Sequence, residues 1–79
     1  MVQKFLIVYE KTKSGYSAYS PDITGCVATG STKKQTEKNI YSAIESHLKG
    51  MLDDGTPLPL QQSASEYIII NEKKLTTTT

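Results

Sequence analysis

Residues 19–32 read YSPDITGCVATGST, and with the helical stretch and the DDGTPLP exit at 53–59 they decide the fold. Pro21 ends a strand, because proline has no N–H group to donate to a ladder. Gly25 can take the positive φ that a tight turn requires. A short strand is predicted from residue 26 to residue 31, with small residues on one face. A helix or a second chain is therefore expected to pack close above that face.

The helix that follows has clear signals at both ends. Thr32 is a good N-cap, and Gln35 three residues later completes a capping-box pattern. Gly55 is the expected C′ residue, and Pro57 forbids continuation of the helix. Six apolar residues between these ends recur at spacings of three and four: Ile40, Ala43, Ile44, Leu48, Met51 and Leu52. The pattern predicts one amphipathic helix lying on a sheet.

Two apolar runs lie outside this stretch, FLIVY at 5–9 and YIII at 67–70. Each is rich in β-branched and aromatic residues without alternation, which predicts a strand covered on both faces. Gly15 ends a polar hairpin connection, and residues 16–20 form the second strand. The element order is therefore β-β-β-α-β. It predicts a two-layer α+β domain, with an antiparallel three-stranded sheet, a fourth strand inserted near the first, and one helix packed on one face.

The face of the sheet opposite the helix has nothing predicted to cover it. Since the first and last strands are apolar on both faces, a partner protein or a second copy of the chain is expected there. We therefore expect a homo-oligomer, either a dimer or a higher assembly. A single domain is predicted over residues 1–72, and residues 73–79 are expected to form a frayed polar tail.

The composition restricts the class of protein. The 79 residues carry a net charge of +1, with nine lysines and no arginine. Arginine is the main side chain for bidentate recognition of guanine and phosphate, so sequence-specific nucleic-acid binding is disfavoured. One unpaired cysteine suits a reducing, cytoplasmic location. The N-terminus has no signal-peptide pattern, and no apolar run reaches the roughly 20 residues that cross a bilayer.

No residue pattern indicates an enzyme, a metal site or a cofactor site. The single histidine, His47, lacks the neighbours of a general base and is expected at the surface. Cys26, the single cysteine, is expected to be buried as a small apolar residue. The eight acidic residues do not converge in the predicted elements as a ribonuclease-H-type metal site would require. Asp22 is expected to form a turn by bonding its own following backbone.

Two groups of residues are candidates for binding. Tyr16 and Tyr19 are equally consistent with packing and with partner binding, because tyrosine is enriched at interfaces. Lys33, Lys34 and Lys38 lie towards the N-terminal end of the helix. They form either a solvated cap or a contact for an anion or a nucleic acid, assisted by the helix N-terminus.

The ordered motifs resemble those of the HicB antitoxin family, from Phe5 to about Ile70. The matching segments, in chain order, are Gly15-Tyr16-Ser17-Ala18-Tyr19, Pro21-Asp22-Ile23-Thr24-Gly25-Cys26, Gly30-Ser31-Thr32 and Asp54-Gly55-Thr56-Pro57-Leu58-Pro59. The resemblance implies structural roles for Pro21, Asp22, Gly25, Cys26, Gly30, Thr32, Gly55 and Pro59. It also implies a partial ribonuclease-H-like fold without nuclease activity.

The resemblance further implies a function. HicB-like antitoxins bind a small HicA-type toxin, which cleaves mRNA, and neutralise it by occluding its active site. Many relatives carry a C-terminal DNA-binding region, and because this chain ends at Thr79 none is expected here. Two features differ from the family pattern: Lys33-Lys34 stand where acidic residues usually open the helix, and the net charge is not acidic. An orphan dimeric regulator, or a weak nucleic-acid-associated module without a toxin, is therefore the alternative. A degenerate ribonuclease-H-like enzyme is the third hypothesis.

Overall fold

The computed structural model describes residues 3–75 and has an α+β architecture. Its elements in chain order are β1 (Val8–Lys11), β2 (Tyr16–Ser20), β3 (Ile23–Gly30), α1 (Lys33–Asp53) and α2 (Glu72–Leu75). The three strands form one antiparallel sheet in the order β1-β2-β3. Helix α1 packs against β3 and β2. The predicted combination of three antiparallel strands and one long helix is confirmed.

The hairpin between β2 and β3 contains an irregularity that the sequence did not predict. Ser20 pairs with Ile23 directly across the turn, whereas the preceding residue of β2, Tyr19, pairs with Val27. Three residues of β3 therefore have no partner on β2, and Gly25 among them has φ 86°. Because β3 already pairs at the turn, it begins three residues earlier than predicted. The positive φ explains why glycine stands in this bulge.

Strand β1 lies later in the chain than the apolar run at 5–9 predicted, since it spans Val8–Lys11. The length of its partner explains the difference. The first residue of β1 pairs with Tyr19, and Pro21 ends β2 two residues later. At this register Phe5 and Leu6 lie past the end of β2 and Ile7 falls opposite its last residue, although the side chains of all three are half-buried.

Both ends of α1 are capped as predicted. The hydroxyl of Thr32 accepts a hydrogen bond from the backbone N–H of Gln35 at 3.0 Å. At the other end Gly55 has φ 74°, and the N–H of Thr56 donates to the carbonyl of Met51 at 2.8 Å. This pattern is the Schellman motif, in which glycine ends the helix by adopting the left-handed conformation.

Small residues let the helix approach β3 closely. A Cβ atom placed on Gly30 would lie 2.6 Å from Oγ1 of Thr36 and 2.7 Å from its backbone nitrogen. Further along the strand, the thiol of Cys26 donates to the carbonyl oxygen of Ala43 at an Sγ–O distance of 3.8 Å. The prediction that a small-residue face lies under a closely packed element is confirmed.

The fully buried side chains are few and mostly small. They are Ala18, Ile23, Cys26 and Ile40, with Ser20 and Thr36 as buried polar residues. The hydroxyl of Thr36 donates to the carbonyl of Thr32 at 2.8 Å, whereas that of Ser20 has no hydrogen-bond partner within residues 3–75. Most of the larger apolar side chains are thus only partly removed from water.

The predicted fourth strand at 67–70 is absent from the sheet of the described residues. No backbone hydrogen bond joins that run to β1 in residues 3–75. The returning chain passes beside β1 at residues 65–67, because Ser65, Glu66 and Tyr67 line the same groove as Ile7 and Val8. Of the apolar run, only Tyr67 lines this groove, where it stays 98% exposed, and the three isoleucines that follow do not line it.

The predicted tail, residues 73–79, is only partly described. Residues 73–75 belong to the single turn of α2, and residues 76–79 lie outside the described residues. The domain boundary at residue 72 therefore stays a prediction.

Candidate protein-binding surface

One face of the sheet is not covered by the helix. Val8, Tyr19 and Val27 are directly opposed across the three strands and form a row on this face, which we call the apolar row. Neighbouring residues in each strand point to the helix side, because strand side chains alternate. Tyr19 is 38% exposed and Val27 is 64% exposed. Two exposed apolar side chains therefore stand beside the half-buried Val8 on this face of the sheet.

Polar residues lie beside the apolar row. Glu10, Ser17 and Thr29 are opposed to one another two residues along the same strands, so they share its face. An apolar centre with a polar rim is the usual composition of a protein-binding surface. Of the six residues in the two rows, Glu10 is the charged one, so this part of the face carries little charge.

The two candidate tyrosines lie on opposite faces. Tyr19 belongs to the apolar row, whereas Tyr16 lies on the helix side, opposite Gly30. Tyr16 lines a groove of about 520 Å³ together with Tyr9 and Lys33. Of the two, Tyr19 is therefore the one placed for contact with a partner on the uncovered face.

The three candidate lysines do not form one cluster. The ammonium of Lys33 lies 5.1 Å from the ring centroid of Tyr9, a cation–π contact on the helix side of the sheet. Lys34 and Lys38 are exposed and one helical turn apart, so they share another face of α1. Burial, and then the negative charge of Glu37, raise the pKa of the Tyr9 hydroxyl. The Tyr9 ring therefore stays neutral under the lysine.

Asp22 lies in the β2–β3 turn, but its carboxylate bonds a distant segment instead of its own following backbone. Its carboxylate accepts hydrogen bonds from the hydroxyl of Ser63 at 2.8 Å, from the N–H of Ser63 at 3.0 Å and from the N–H of Gln62 at 3.1 Å. These bonds, led by that from the Ser63 hydroxyl, lower the pKa of Asp22. Asp22 thus ties the β2–β3 turn to the chain returning from the helix. Pro59 lies half-buried in that returning segment.

An apolar groove between α1 and the chain before β1 was also not predicted. It measures about 280 Å³ and is lined by Phe5, Ile7, Ile40, Tyr41, Ile44 and Leu48, with Gln3 and Glu45 at its borders. The sequence indicated that the apolar helix face would be covered by the sheet. Part of that face instead extends past the edge of the sheet, because no strand lies beyond β1 in the described residues.

The described residues offer little for chemistry. Among residues 3–75, no group of three or more histidine, cysteine, aspartate or glutamate side chains is close enough to hold a metal ion. Cys26 is buried as predicted, and burial raises the pKa of its thiol, which keeps the sulfur protonated. His47 is exposed on α1, as predicted. No helix in the described part of the chain is long and apolar enough to cross a membrane.

Comparison with known proteins gives a family match over nearly the whole chain. Residues 5–76 match the model of the HicB-like antitoxins of bacterial toxin–antitoxin systems. An uncharacterized 14.9 kDa protein of Haemophilus phage HP1 is 37% identical over 62 residues, which are 78% of this chain and 47% of the phage protein. A UPF0150 protein of Synechocystis is 29% identical over 59 residues, 73% of this chain and 75% of that protein. This chain thus spans about half the length of the phage relative.

A solved structure supports the same family. A chain of the HicA3 and HicB3 toxin–antitoxin complex superposes with a TM-score of 0.56 and 35% sequence identity. The match covers 68% of this chain and 66% of the other chain.

Proposed function

Because this chain belongs to the HicB-like antitoxin family, we propose that it neutralises a small HicA-type, mRNA-cleaving toxin by binding over its active site. In this proposal the chain contributes no chemistry of its own. It acts as a non-catalytic protein-binding module, and it takes no cofactor.

The apolar row is the observation that carries this proposal. A tyrosine between two valines, on an otherwise polar sheet face, offers the kind of aromatic anchor that dominates binding energy in protein interfaces. Tyr19 keeps 38% of its surface exposed, so a partner would remove apolar area from water there. We place the toxin on this face.

To inhibit by occlusion, the antitoxin has to be bound to nearly all of the toxin molecules, and no chemical reaction is needed. When the free antitoxin reaches about 100 times its Kd, roughly 1% of the toxin stays uncovered. Mainly apolar contacts would achieve this with little dependence on salt, because Glu10 is the charged residue beside the apolar row and screening acts on charges. We expect the toxin Kd to change less than about tenfold between low and high salt.

The test is growth rescue with a matched pair of tyrosine variants. The chain is co-expressed with the HicA-type toxin encoded beside it, as wild type, as Tyr19→Asp and as Tyr41→Asp. Tyr41 is 67% exposed on the other layer of the fold and serves as the control. We expect Tyr19→Asp to lose rescue and to weaken binding by about 100-fold, as for an interface hot spot, while Tyr41→Asp rescues like wild type.

Three results would contradict the proposal. If the wild-type chain fails to restore growth, the antitoxin role is wrong. If the wild-type chain rescues but Tyr19→Asp rescues equally well, the placement of the toxin on the apolar row is wrong. If the toxin is still active as a nuclease in the saturated complex, occlusion of its active site is wrong.

A second function, an orphan module with weak affinity for nucleic acid, is favoured by the exposed pair Lys34 and Lys38. Retention of the chain on RNA or DNA at low salt would support it, and Lys34→Glu with Lys38→Glu should then abolish retention. A gene neighbourhood without a HicA-type reading frame points the same way. Unchanged retention of the double variant would remove this function.

A further inference from the structure

Residues 67–70, which we call the arm, are exposed although they are the most apolar run of the C-terminal part of the chain. We propose that two copies of the chain exchange arms, each arm adding a strand to the free edge of β1 in the other copy. The proposal goes beyond toxin binding, because it uses a different surface from the apolar row.

The arm has the composition of a strand and the exposure of a surface loop. Tyr67 is 98% exposed, and Ile68, Ile69 and Ile70 are 77%, 96% and 62% exposed. Three consecutive β-branched residues favour extended pairing. Such a run in contact with water is a template for pairing with another chain.

The edge of β1 is a matching acceptor. In residues 3–75, β1 pairs only with β2, so the backbone groups of its outer edge have no strand partner. The apolar groove of about 280 Å³ lies between α1 and the chain that leads into β1. A strand added at this edge would satisfy the free backbone groups and would place alternate side chains over the groove.

The three isoleucines of the arm do not reach the β1 edge of their own copy. The Asp22 carboxylate fixes Ser63, and the side chain of Gln61 donates to the side chain of Gln3. These contacts place Ser65, Glu66 and the first arm residue, Tyr67, beside β1, whereas the three isoleucines of the arm do not line that groove. Consistent with an extended segment, the radius of gyration is 16.9 Å, against about 12 Å for a compact chain of this length.

The area available fits a dimer of moderate affinity. An isoleucine side chain contributes roughly 100 Å² of apolar surface and a tyrosine roughly 150 Å² or more, so one arm offers about 450 Å². Because alternate side chains point to opposite faces, about half of this area lies over the groove, so two arms and the surfaces that they cover bury about 900 Å² of apolar area, to which the paired backbone adds. A second copy is favoured as the occupant, because each copy has both the arm and the edge, and the exchange closes about a two-fold axis.

Sedimentation of the full chain tests the assembly. Wild type is expected to be dimeric at tens of micromolar, in the range where a micromolar Kd gives full occupancy. Ile69→Pro removes an N–H donor from the arm and should shift the chain mostly to monomer, which at tens of micromolar requires about 100-fold weaker dimerisation. Leu60→Pro, at another exposed apolar position outside the arm, is the control and should leave the dimer intact. Tyr19→Asp should also leave it intact, which separates this test from that of toxin binding.

Cross-linking tests the exchange itself, in a Cys26→Ala background. Copies with Glu10→Cys are mixed with copies with Ile69→Cys and treated with a short bifunctional maleimide. A covalent dimer between the two kinds of copy is the expected product. A double variant carrying both cysteines should give little linkage within one chain at high dilution.

Each opposite result overturns the proposal. Efficient linkage within one chain would show that the arm pairs with its own β1. A wild-type monomer at tens of micromolar would exclude the second copy. If Ile69→Pro abolishes toxin binding while wild type alone is monomeric, the arm binds the toxin instead.

Discussion

The hairpin–helix unit is residues 16–55, and the two apolar ends are residues 5–9 and 67–70. The unit and the ends differ in the size of their apolar side chains and in how deeply these are buried. The unit buries small side chains such as Ala18 and Cys26, because its elements approach closely. The ends carry the bulkiest apolar runs of the chain, yet these are half-buried or exposed. Burial in this fold therefore depends on the presence of a neighbouring helix or strand to pack against, and not on hydrophobicity alone.

Two isoleucine variants test this comparison most strongly. Ile40 is 1% exposed, and Ile40→Ala should lower the free energy of unfolding by about 3 kcal/mol through lost burial and a cavity. Ile69→Ala removes the same atoms from a 96% exposed side chain and should change the free energy of unfolding by less than about 0.5 kcal/mol. Urea unfolding below the dimerisation concentration measures both. Equal losses would contradict the contrast between the unit and the ends.

Two glycine variants test the close approach of the helix. Gly30→Ala should lower the free energy of unfolding by about 2 kcal/mol, because the new Cβ meets the backbone of Thr36. Gly50→Ala has open space around it and should raise the stability by about 0.5–1 kcal/mol, since alanine is the better helix former. Thermal unfolding of the two variants gives the sign of each effect. A neutral Gly30→Ala would mean that the strand and the helix can separate without cost.

The cap that joins the hairpin to the helix has a smaller expected effect. Thr32→Ala removes the acceptor for the N–H of Gln35 and should cost about 1 kcal/mol of stability. Thr24→Ala, at an exposed position in the bulge, is the matched control and should be close to neutral. The same urea titration compares them, and equal effects would show that the cap contributes nothing particular.

The smallest effect is expected for the hydrogen bonds that join Asp22 to Gln62 and Ser63, which we call the tie between the unit and the C-terminal end. The folded pKa of Asp22 is lowered, so the tie is fully present above the ordinary carboxyl pKa of about 3.9. It is lost as the pH falls through the folded value. The amide chemical shift of Ser63, followed by NMR during acid titration, should report that lowered pKa. Asp22→Asn should remove the transition from the Ser63 signal, and an unchanged transition would assign it to another group.

Local signals predicted the unit well. Strand β2 has the predicted limits, and Thr32 and Gly55 end the helix as their chemistry requires. These features depend on residues within a few positions of one another, so a pattern in the sequence is enough to find them. The family resemblance gave the antitoxin class in the same way, through ordered local motifs.

The positions of the two apolar ends and the composition of the exposed surface depend on contacts between residues that are far apart in the sequence. The bonds from Asp22 to Ser63 join residues 41 positions apart, and no local pattern indicates them. The composition of the run at 67–70 is that of a buried strand, but a strand forms only where another strand pairs with it. Tyr16 and Tyr19 lie on opposite faces of β2, and which of these faces the helix covers became known from the structure alone.

The burial of Cys26 makes the single thiol of the chain a reporter of local opening. Its sulfur lies under α1, beside the carbonyl of Ala43, and is 5% exposed. A disulfide reagent can react with it only when the helix lifts from the sheet or the chain unfolds. The rate of labelling, divided by the rate for the unfolded chain, therefore gives the equilibrium constant for helix undocking under native conditions. Bound toxin should slow this rate only if it also holds the helix in place.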